Sequence, residues 1–253
     1  MWQSLLFPVI VPFSCRSKKV MNKMSDVVRA FNLYADDYDR WFESPEGKTL
    51  FKFEVEAVKM LMSGLKPPFL EVGVGSGRFA EVIGVEYGVD PSPALLEKAR
   101  ARGVKVNLGK GEDLPYKDNS FGGVFILFTL CFSDDPEKAL CEAKRVLKSG
   151  GGLVVGIINR ESTWGRLYSR KKAEGHQLYR YARLFSPAEV IDLIRKVAMT
   201  VEGFSSTLLR QPTENHEGEI VLNRLLDGAG FICIIARKNL NSARSLQMFS
   251  AQS

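Results

Sequence analysis

Between residues 69 and 158 the chain alternates two hydrophobic rhythms. Short apolar runs at 69–72, 85–89 and 153–158 read as buried strands. The almost unbroken run at 121–128 suits a strand covered on both faces. At 104–108 polar and apolar residues alternate, the period-two signature of a strand. The intervals carry helical spacing instead. Residues 78–83 leave room for a short helix only, and Ala94 to Arg102 forms another, with Pro93 suited to its first turn and Gly103 closing it. Asp134, Asp135 and Glu137 favour a helix N-terminus, and Ala139, Leu140, Ala143, Val146 and Leu147 make its buried stripe. The run from Lys148 to Gly152 is expected to end that helix. Alternation of this kind predicts an α/β fold around a parallel sheet. Ser186, Pro187 and Glu189 mark a further helix start, continued by Val190, Leu193, Ile194 and Val197. Two closing strands, at 200–208 and 230–236, bring the sheet to seven.

Ahead of the sheet, Val28, Phe31, Tyr34, Ala35, Tyr38 and Trp41 recur every three or four residues and predict one amphipathic helix from Ser25 to Trp41. Ser44, Pro45 and Gly47 punctuate it. Leu50, Phe51, Phe53, Val55, Val58, Leu61 and Met62 predict a second helix over 47–63, stopped by Gly64 and the Pro67–Pro68 pair. The first 23 residues differ. Leu5 to Phe13 is apolar but broken by Pro8 and Pro12, and the positive residues Arg16, Lys18 and Lys19 follow it, the reverse of a secretory leader. Residues 1–23 read as a poorly ordered extension, and 239–253 as a tail.

The chemistry concentrates where the first strand ends. Gly73, Gly75 and Gly77 alternate directly after Val72. Three such glycines let the backbone turn sharply and let a ligand approach it closely. Amide groups at the mouth of the following helix can then bind a polar or anionic group. An ordinary strand-to-helix turn needs one glycine. A dinucleotide fingerprint places its third glycine one residue later and its acid about 20 residues further on. Here Glu71 stands two residues before the first glycine, and Asp90 ends the second strand. A carboxylate there can accept hydrogen bonds from two vicinal ribose hydroxyls. The pattern fits an adenosine cofactor without pyrophosphate recognition.

The run Glu71-Val72-Gly73-Val74-Gly75-Ser76-Gly77, followed by Asp90, resembles the class I S-adenosylmethionine-dependent methyltransferases. The run from Phe31 to Trp41 is similar to the N-terminal segment of their type 11 group, which includes ubiquinone- and menaquinone-biosynthesis enzymes. The likeness extends over residues 31–200. It implies a three-layer αβα Rossmann-like sandwich with a seven-stranded, mostly parallel sheet. It also implies S-adenosylmethionine as cofactor, and a single domain over 24–238 whose residues 24–64 form a helical lid.

On the same resemblance, the backbone of Gly73, Gly75 and Gly77 faces the methionyl portion. Glu71 organises the loop or meets the amino group through water. Asp90, with Pro91 beside it, takes the ribose hydroxyls. Glu112, Asp113 and Leu114 frame adenine, Leu127 and Phe128 lie near the transferable methyl, and Tyr34 or Tyr38 touches the cofactor. Two positions depart from the family: Lys110 and Gly122 stand where an Asp is usual. A contact to the adenine amino group then has to use a backbone carbonyl or Asp113.

Composition adds little that is special. With 253 residues, 45% hydrophobic and 25% charged, the chain can bury a sizeable core. A formal charge of +6 permits a nucleic-acid partner without requiring one. From Arg160 to Arg183 basic residues interleave with Trp164, Tyr168, Tyr179 and Tyr181, a pattern that can bind RNA by stacking and phosphate contact. A solvated helix with a substrate lid accounts for it as well and is preferred. Cys15, Cys131, Cys141 and Cys233 are far apart, which argues against zinc and disulfides and for the reduced thiols of a cytoplasmic protein. No metal is expected. No apolar run approaches the roughly 20 residues that span a bilayer.

Cys131 reads as a buried structural cysteine, and His176 and His216, in polar stretches, as surface histidines. Phe128-Thr129-Leu130-Cys131 lacks the Asn/Asp-Pro-Pro-aromatic turn of enzymes that methylate amino groups of adenine or glutamine. It lacks the Pro-Cys pair of cytosine C5 enzymes too. The expected activity is methyl transfer to a small-molecule acceptor by in-line displacement. Since the cofactor brings an activated leaving group, no residue is required to be catalytic. An RNA-modifying methyltransferase is the alternative, followed by a non-catalytic cofactor-binding module in a complex. A nicotinamide oxidoreductase is disfavoured by the glycine spacing.

Overall fold

The structure, a computed structural model, describes residues 18–239, with side chains from Asp26 onward. The expected extension lies outside the described residues except for 18–23, and the expected tail except for Asn239.

Seven strands form one sheet in the order β3-β2-β1-β4-β5-β7-β6. They are β1 (Phe69–Val72), β2 (Tyr87–Asp90), β3 (Lys105–Leu108), β4 (Phe121–Leu127), β5 (Leu147–Ile158), β6 (Thr200–Thr207) and β7 (Phe231–Arg237). The first five pair in parallel, and β7 runs antiparallel to both β5 and β6. This is the Rossmann-like arrangement that the resemblance implies. Strand order reverses between β1 and β4, and the crevice at such a switch point is where open α/β sheets bind ligands.

The pleat divides the core. Every residue of β4 is buried. Val124 and Ile126 join Leu140, Val190 and Ile194 on one face, under α6 (Pro136–Val146) and α8 (Pro187–Lys196). Phe125 and Leu127 join Leu50, Val58, Phe79 and Leu96 on the other, under α3 (Pro45–Leu61), α4 (Arg78–Ile83) and α5 (Pro93–Ala101). Near-perfect side-chain alternation between two covered faces is what a central parallel strand requires. The helix starts are locally encoded. Ser44 accepts a hydrogen bond from Gly47 N at 2.9 Å with Pro45 in the first turn, and Ser186 and Glu189 form a reciprocal capping box.

Two elements differ from the sequence reading. The single helix expected over 25–41 is two, α1 (Lys18–Leu33) and α2 (Ala35–Trp41), broken at Tyr34, whose ψ of 21° leaves the helical region. Each piece has its own anchor: Asn32 of α1 accepts from Ser92 Oγ at 2.7 Å, while Asp39 of α2 binds Arg78 and Arg102. The run from Lys148 to Gly152 lies within β5 and not at a helix end. A Cβ on Gly152 would come within 2.4 Å of Leu65, so its glycine serves close packing across the sheet. Among the described residues, no helix is long and apolar enough to cross a membrane.

Candidate active site

The turn from β1 into α4 is built by two neighbours on β2. Gly73 N and Val74 N both donate to Val89 O, at 2.7 and 3.0 Å, which folds the loop over the end of β2. Gly75 N donates to Asp90 Oδ2 at 3.0 Å, and Ser92 N to Asp90 Oδ1 at 2.8 Å. The three glycines all have positive φ but for different surroundings. A Cβ on Gly73 would lie 2.2 Å from Thr129, and one on Gly77 2.9 Å from the Ala99 backbone. One on Gly75 would meet only the Tyr38 ring, at an ordinary 3.6 Å.

A cavity of about 340 Å³ opens above the C-terminal ends of β1, β2 and β4. Of the residues singled out from sequence, Tyr34, Gly73, Gly75, Asp90, Pro91, Glu112, Leu127 and Phe128 line it, and so does Tyr38. Glu71, Gly77, Asp113 and Leu114 do not. Glu71 is buried beneath the loop, with Oε2 lacking any hydrogen-bond partner. Gly77 packs on α5. Asp113 is exposed in a bridge to Lys110, while Leu114 is buried and donates its N–H to Glu142 at 2.9 Å. The Glu112 carboxylate accepts from Ser133 Oγ and from Asp134 N at 3.0 Å, so it holds the turn after β4 against the turn after β3.

Phe128 leaves β4 with φ of +55°, a left-handed conformation unusual for a bulky side chain. Its N–H donates to Gly156 O at 2.9 Å, and its ring stacks on Phe231 with centroids 4.7 Å apart. Such strain persists where the surroundings over-determine it and concentrates at ligand sites. Beside the glycine loop, Asp90, Glu112 and Phe128, the cavity is lined by Leu50 and Glu54 of α3, Trp164 and Tyr168 of α7 (Thr163–Ala173), and Tyr179 in a 3₁₀ turn.

The basic-aromatic section is thus a cavity wall on its inner side. Its cations are partly engaged: Arg160 pairs with Glu189 at 2.8 Å, and Lys172 donates to Ala182 O at 2.5 Å. The histidines correct the sequence reading. His216 is buried against Trp164, ring centroids 5.3 Å apart, and 3.5 Å from Glu219. His176 is half-buried at the cavity, accepting from Leu178 N at 3.2 Å, and burial lowers its pKa. Cys131 is half-buried and also borders the cavity. Its thiol donates to Phe128 O at 3.2 Å, and burial pushes its pKa up to about 12, so it carries no thiolate.

Three carboxyls under or beside the cavity have raised pKa values. Burial lifts Asp90 to about 6, opposed by hydrogen bonds from the Ser92 and Gly75 backbone. Burial lifts Glu54 to about 8 with nothing opposing it. Burial also holds Glu71 well above the ordinary value, against a hydrogen bond from the Ala80 backbone and with added repulsion from Asp90. Glu54 escaped the sequence reading, although a signal existed. It sits four residues after Leu50 and four before Val58, in the apolar stripe of an amphipathic helix, where an acid is out of place.

A family model for a methyltransferase domain of type 11 matches residues 70–155. An uncharacterized protein of Mycobacterium tuberculosis is 40% identical over 200 residues, 79% of this chain and 70% of its own length. One from Methanocaldococcus jannaschii is 36% identical over 211 residues, 83% of this chain and all of its own. A crystal structure from Thermotoga maritima, described as a SAM-dependent methyltransferase and possible histamine N-methyltransferase, is 39% identical. It superposes with a TM-score of 0.78 over 84% of this chain and 100% of that one. The donor set suits the cofactor that this likeness brings. Each Asp90 oxygen receives one backbone N–H, which leaves lone pairs on both for hydroxyl donors in the cavity.

Proposed function

The chain belongs to the S-adenosylmethionine-dependent methyltransferases of the type 11 group, and we propose that its acceptor is a small organic molecule. The observation that carries this reading is that Leu50, Trp164, Tyr168, Tyr179 and Leu208 line the same cavity as the groups expected to hold the cofactor. A pocket lined mainly by aromatic and aliphatic side chains with few polar groups is the usual form of a small-molecule site. The Thermotoga relative's description as a possible histamine N-methyltransferase supports the same class of acceptor.

When bound, S-adenosylmethionine supplies an activated methyl group. The chain's own residues bind, orient and exclude water. Asp90 takes the ribose hydroxyls, the backbone of Gly73 and Gly75 faces the methionyl portion, and the 109–112 turn faces adenine. Glu71, Gly77, Asp113 and Leu114 support these from behind, Glu71 through the β1 end and Leu114 through Glu142. Leu127 and Phe128, which line the cavity at the end of β4, lie near the transferable methyl. Residues 24–64 form the lid, with Tyr38 over Gly75. Alignment of donor and acceptor in a dry site supplies the rate, without a protein nucleophile.

The test is transfer of a tritiated methyl from S-adenosylmethionine into three cell fractions: deproteinised small molecules, RNA and protein. Label in the small-molecule fraction is expected. Label in RNA, with transfer weakened by Arg166→Ala and Arg170→Ala and by added salt, would replace this reading with an RNA-modifying one.

A further inference from the structure

Glu54 is only 6% exposed, yet its carboxyl borders the cavity, and no hydrogen-bond donor or cation among the described residues reaches it. A carboxyl so placed opposes folding, because burial without a partner forfeits its hydration. Leucine would fill the stripe between Leu50 and Val58 better. Tyr38 and Tyr168 line the same cavity, and the Glu54 charge adds to the burial that raises the pKa of both. Cofactor binding as proposed does not use Glu54.

The walls around it favour a cation. Tyr168 and Tyr179 stand with ring centroids 4.4 Å apart. The Lys171 ammonium sits 5.0 Å from the Tyr168 centroid and 5.9 Å from that of Tyr179, so these rings already hold one positive charge, and a second cation would have to take the faces turned toward Glu54 and draw on its carboxyl. An anion or a neutral hydroxyl would leave the buried carboxyl protonated, whereas a cation beside it favours the charged form that burial disfavours. A protonated nitrogen satisfies both the carboxylate and the aromatic faces.

We propose that Glu54 is the acceptor's anchor, pairing with a basic nitrogen of an amine that lies against Tyr168 and Tyr179. This rests on the small-molecule reading above and adds the chemical class of the acceptor.

Phenethylamine and tryptamine are titrated calorimetrically into the full chain saturated with S-adenosylhomocysteine, beside 2-phenylethanol and 3-phenylpropionate of matched size. The amines are expected to bind roughly tenfold tighter than the neutral and anionic analogues. In Glu54→Gln that preference should collapse, with S-adenosylhomocysteine affinity unchanged. An amine preference that survives Glu54→Gln, or tighter binding of the alcohol or the acid, would overturn the proposal, as would no amine binding at all. Urea unfolding of ligand-free Glu54→Leu guards against a purely structural role: its midpoint should rise, and a fall would mean that the carboxyl has a partner in the fold. Tritium transfer separates this proposal from the reading beneath it. Label in small molecules that a cation exchanger does not retain would remove the amine alone, and label in RNA would remove both.

Discussion

Asp39 of α2 and Arg78 of α4 form a two-pronged pair, Nε to Oδ1 at 2.8 Å and an Nη to Oδ2 at 3.1 Å. Arg102, the C-cap of α5, adds a third bond to the same carboxylate, at 2.9 Å. Arg78 directly follows Gly77, so one carboxylate ties the N-terminal helices to the glycine loop and to the end of α5. Burial by itself would raise the Asp39 pKa, but the hydrogen bonds and charges of Arg78 and Arg102 hold it well below the usual carboxylate range.

Asp39→Asn should therefore destabilise the fold by about 1–3 kcal/mol, less than a fully buried pair because the three side chains remain 14–18% exposed. The wild-type contribution is present above the unfolded value near 3.8 and is lost as pH falls through the depressed one. Urea titrations of both proteins at pH 7 and pH 3 measure it. Equal midpoints at pH 7 would contradict the clamp. Binding of S-adenosylmethionine should weaken as well, since Tyr38, beside Asp39, packs over Gly75.

The glycines should separate by surroundings rather than by motif position. Gly73→Ala would put a Cβ 2.2 Å from Thr129 and should abolish cofactor binding. Gly75→Ala has room, and should fold with only the left-handed backbone penalty of about 1–2 kcal/mol. Calorimetry with S-adenosylhomocysteine and thermal unfolding rank the two. Gly75→Ala proving the less stable would refute the packing argument.

Gly122→Asp would install the family's more usual residue and should still be harmful. A Cβ there would stand 1.8 Å from Lys66 O, while Gly122 N donates to Pro68 O at 2.9 Å. Relief requires moving the 66–68 segment away from β4, and a loss of roughly 3 kcal/mol or more is expected, comparable to severe overpacking. Wild-type-like unfolding of this variant would show that the approach is not close.

Asp90→Ala should lower affinity for S-adenosylmethionine at least tenfold, roughly the 1.4 kcal/mol of one charge-assisted hydrogen bond or more. It removes both the proposed ribose acceptor and the carboxylate that receives Gly75 N. Undiminished affinity would displace the proposed role of Asp90.

Glu54 predicts an unusual slope of stability with pH. Its folded value of about 8 lies above the ordinary 4.5, so the native state keeps a proton that the unfolded chain releases. Stability of the ligand-free protein should accordingly fall as pH rises from 4.5 to 8, by an amount on the order of 3 kcal/mol from this group. Asp90 acts in the same direction between 3.8 and about 6. Comparison with Glu54→Gln isolates the first contribution, and parallel profiles for the two proteins would exclude it.

What a short stretch of chain fixes by itself was legible before any coordinates. The alternation of apolar runs and helical stripes, the cap at Ser186, and the glycines with Asp90 depend on neighbours close in sequence. The type 11 resemblance, the seven-stranded sheet and the cofactor class follow from them. Other features depend on what the far side of a packed layer presents. Periodicity placed Leu50 and Val58 on the buried stripe of α3, but did not single out Glu54 between them or show the cavity opposite. It gave His216 a polar context, while packing buried it against Trp164 and Glu219. Gly122 read as a departure from the family until the Lys66 carbonyl beside it supplied a reason. The sequence by itself determined the architecture, because local propensity and hydrophobic period carry it, and implied the cofactor through the resemblance of the Glu71–Gly77 run and Asp90. Only the tertiary structure decided which buried polar groups face empty space and which are satisfied, because that depends on residues tens to hundreds of positions apart meeting at one point.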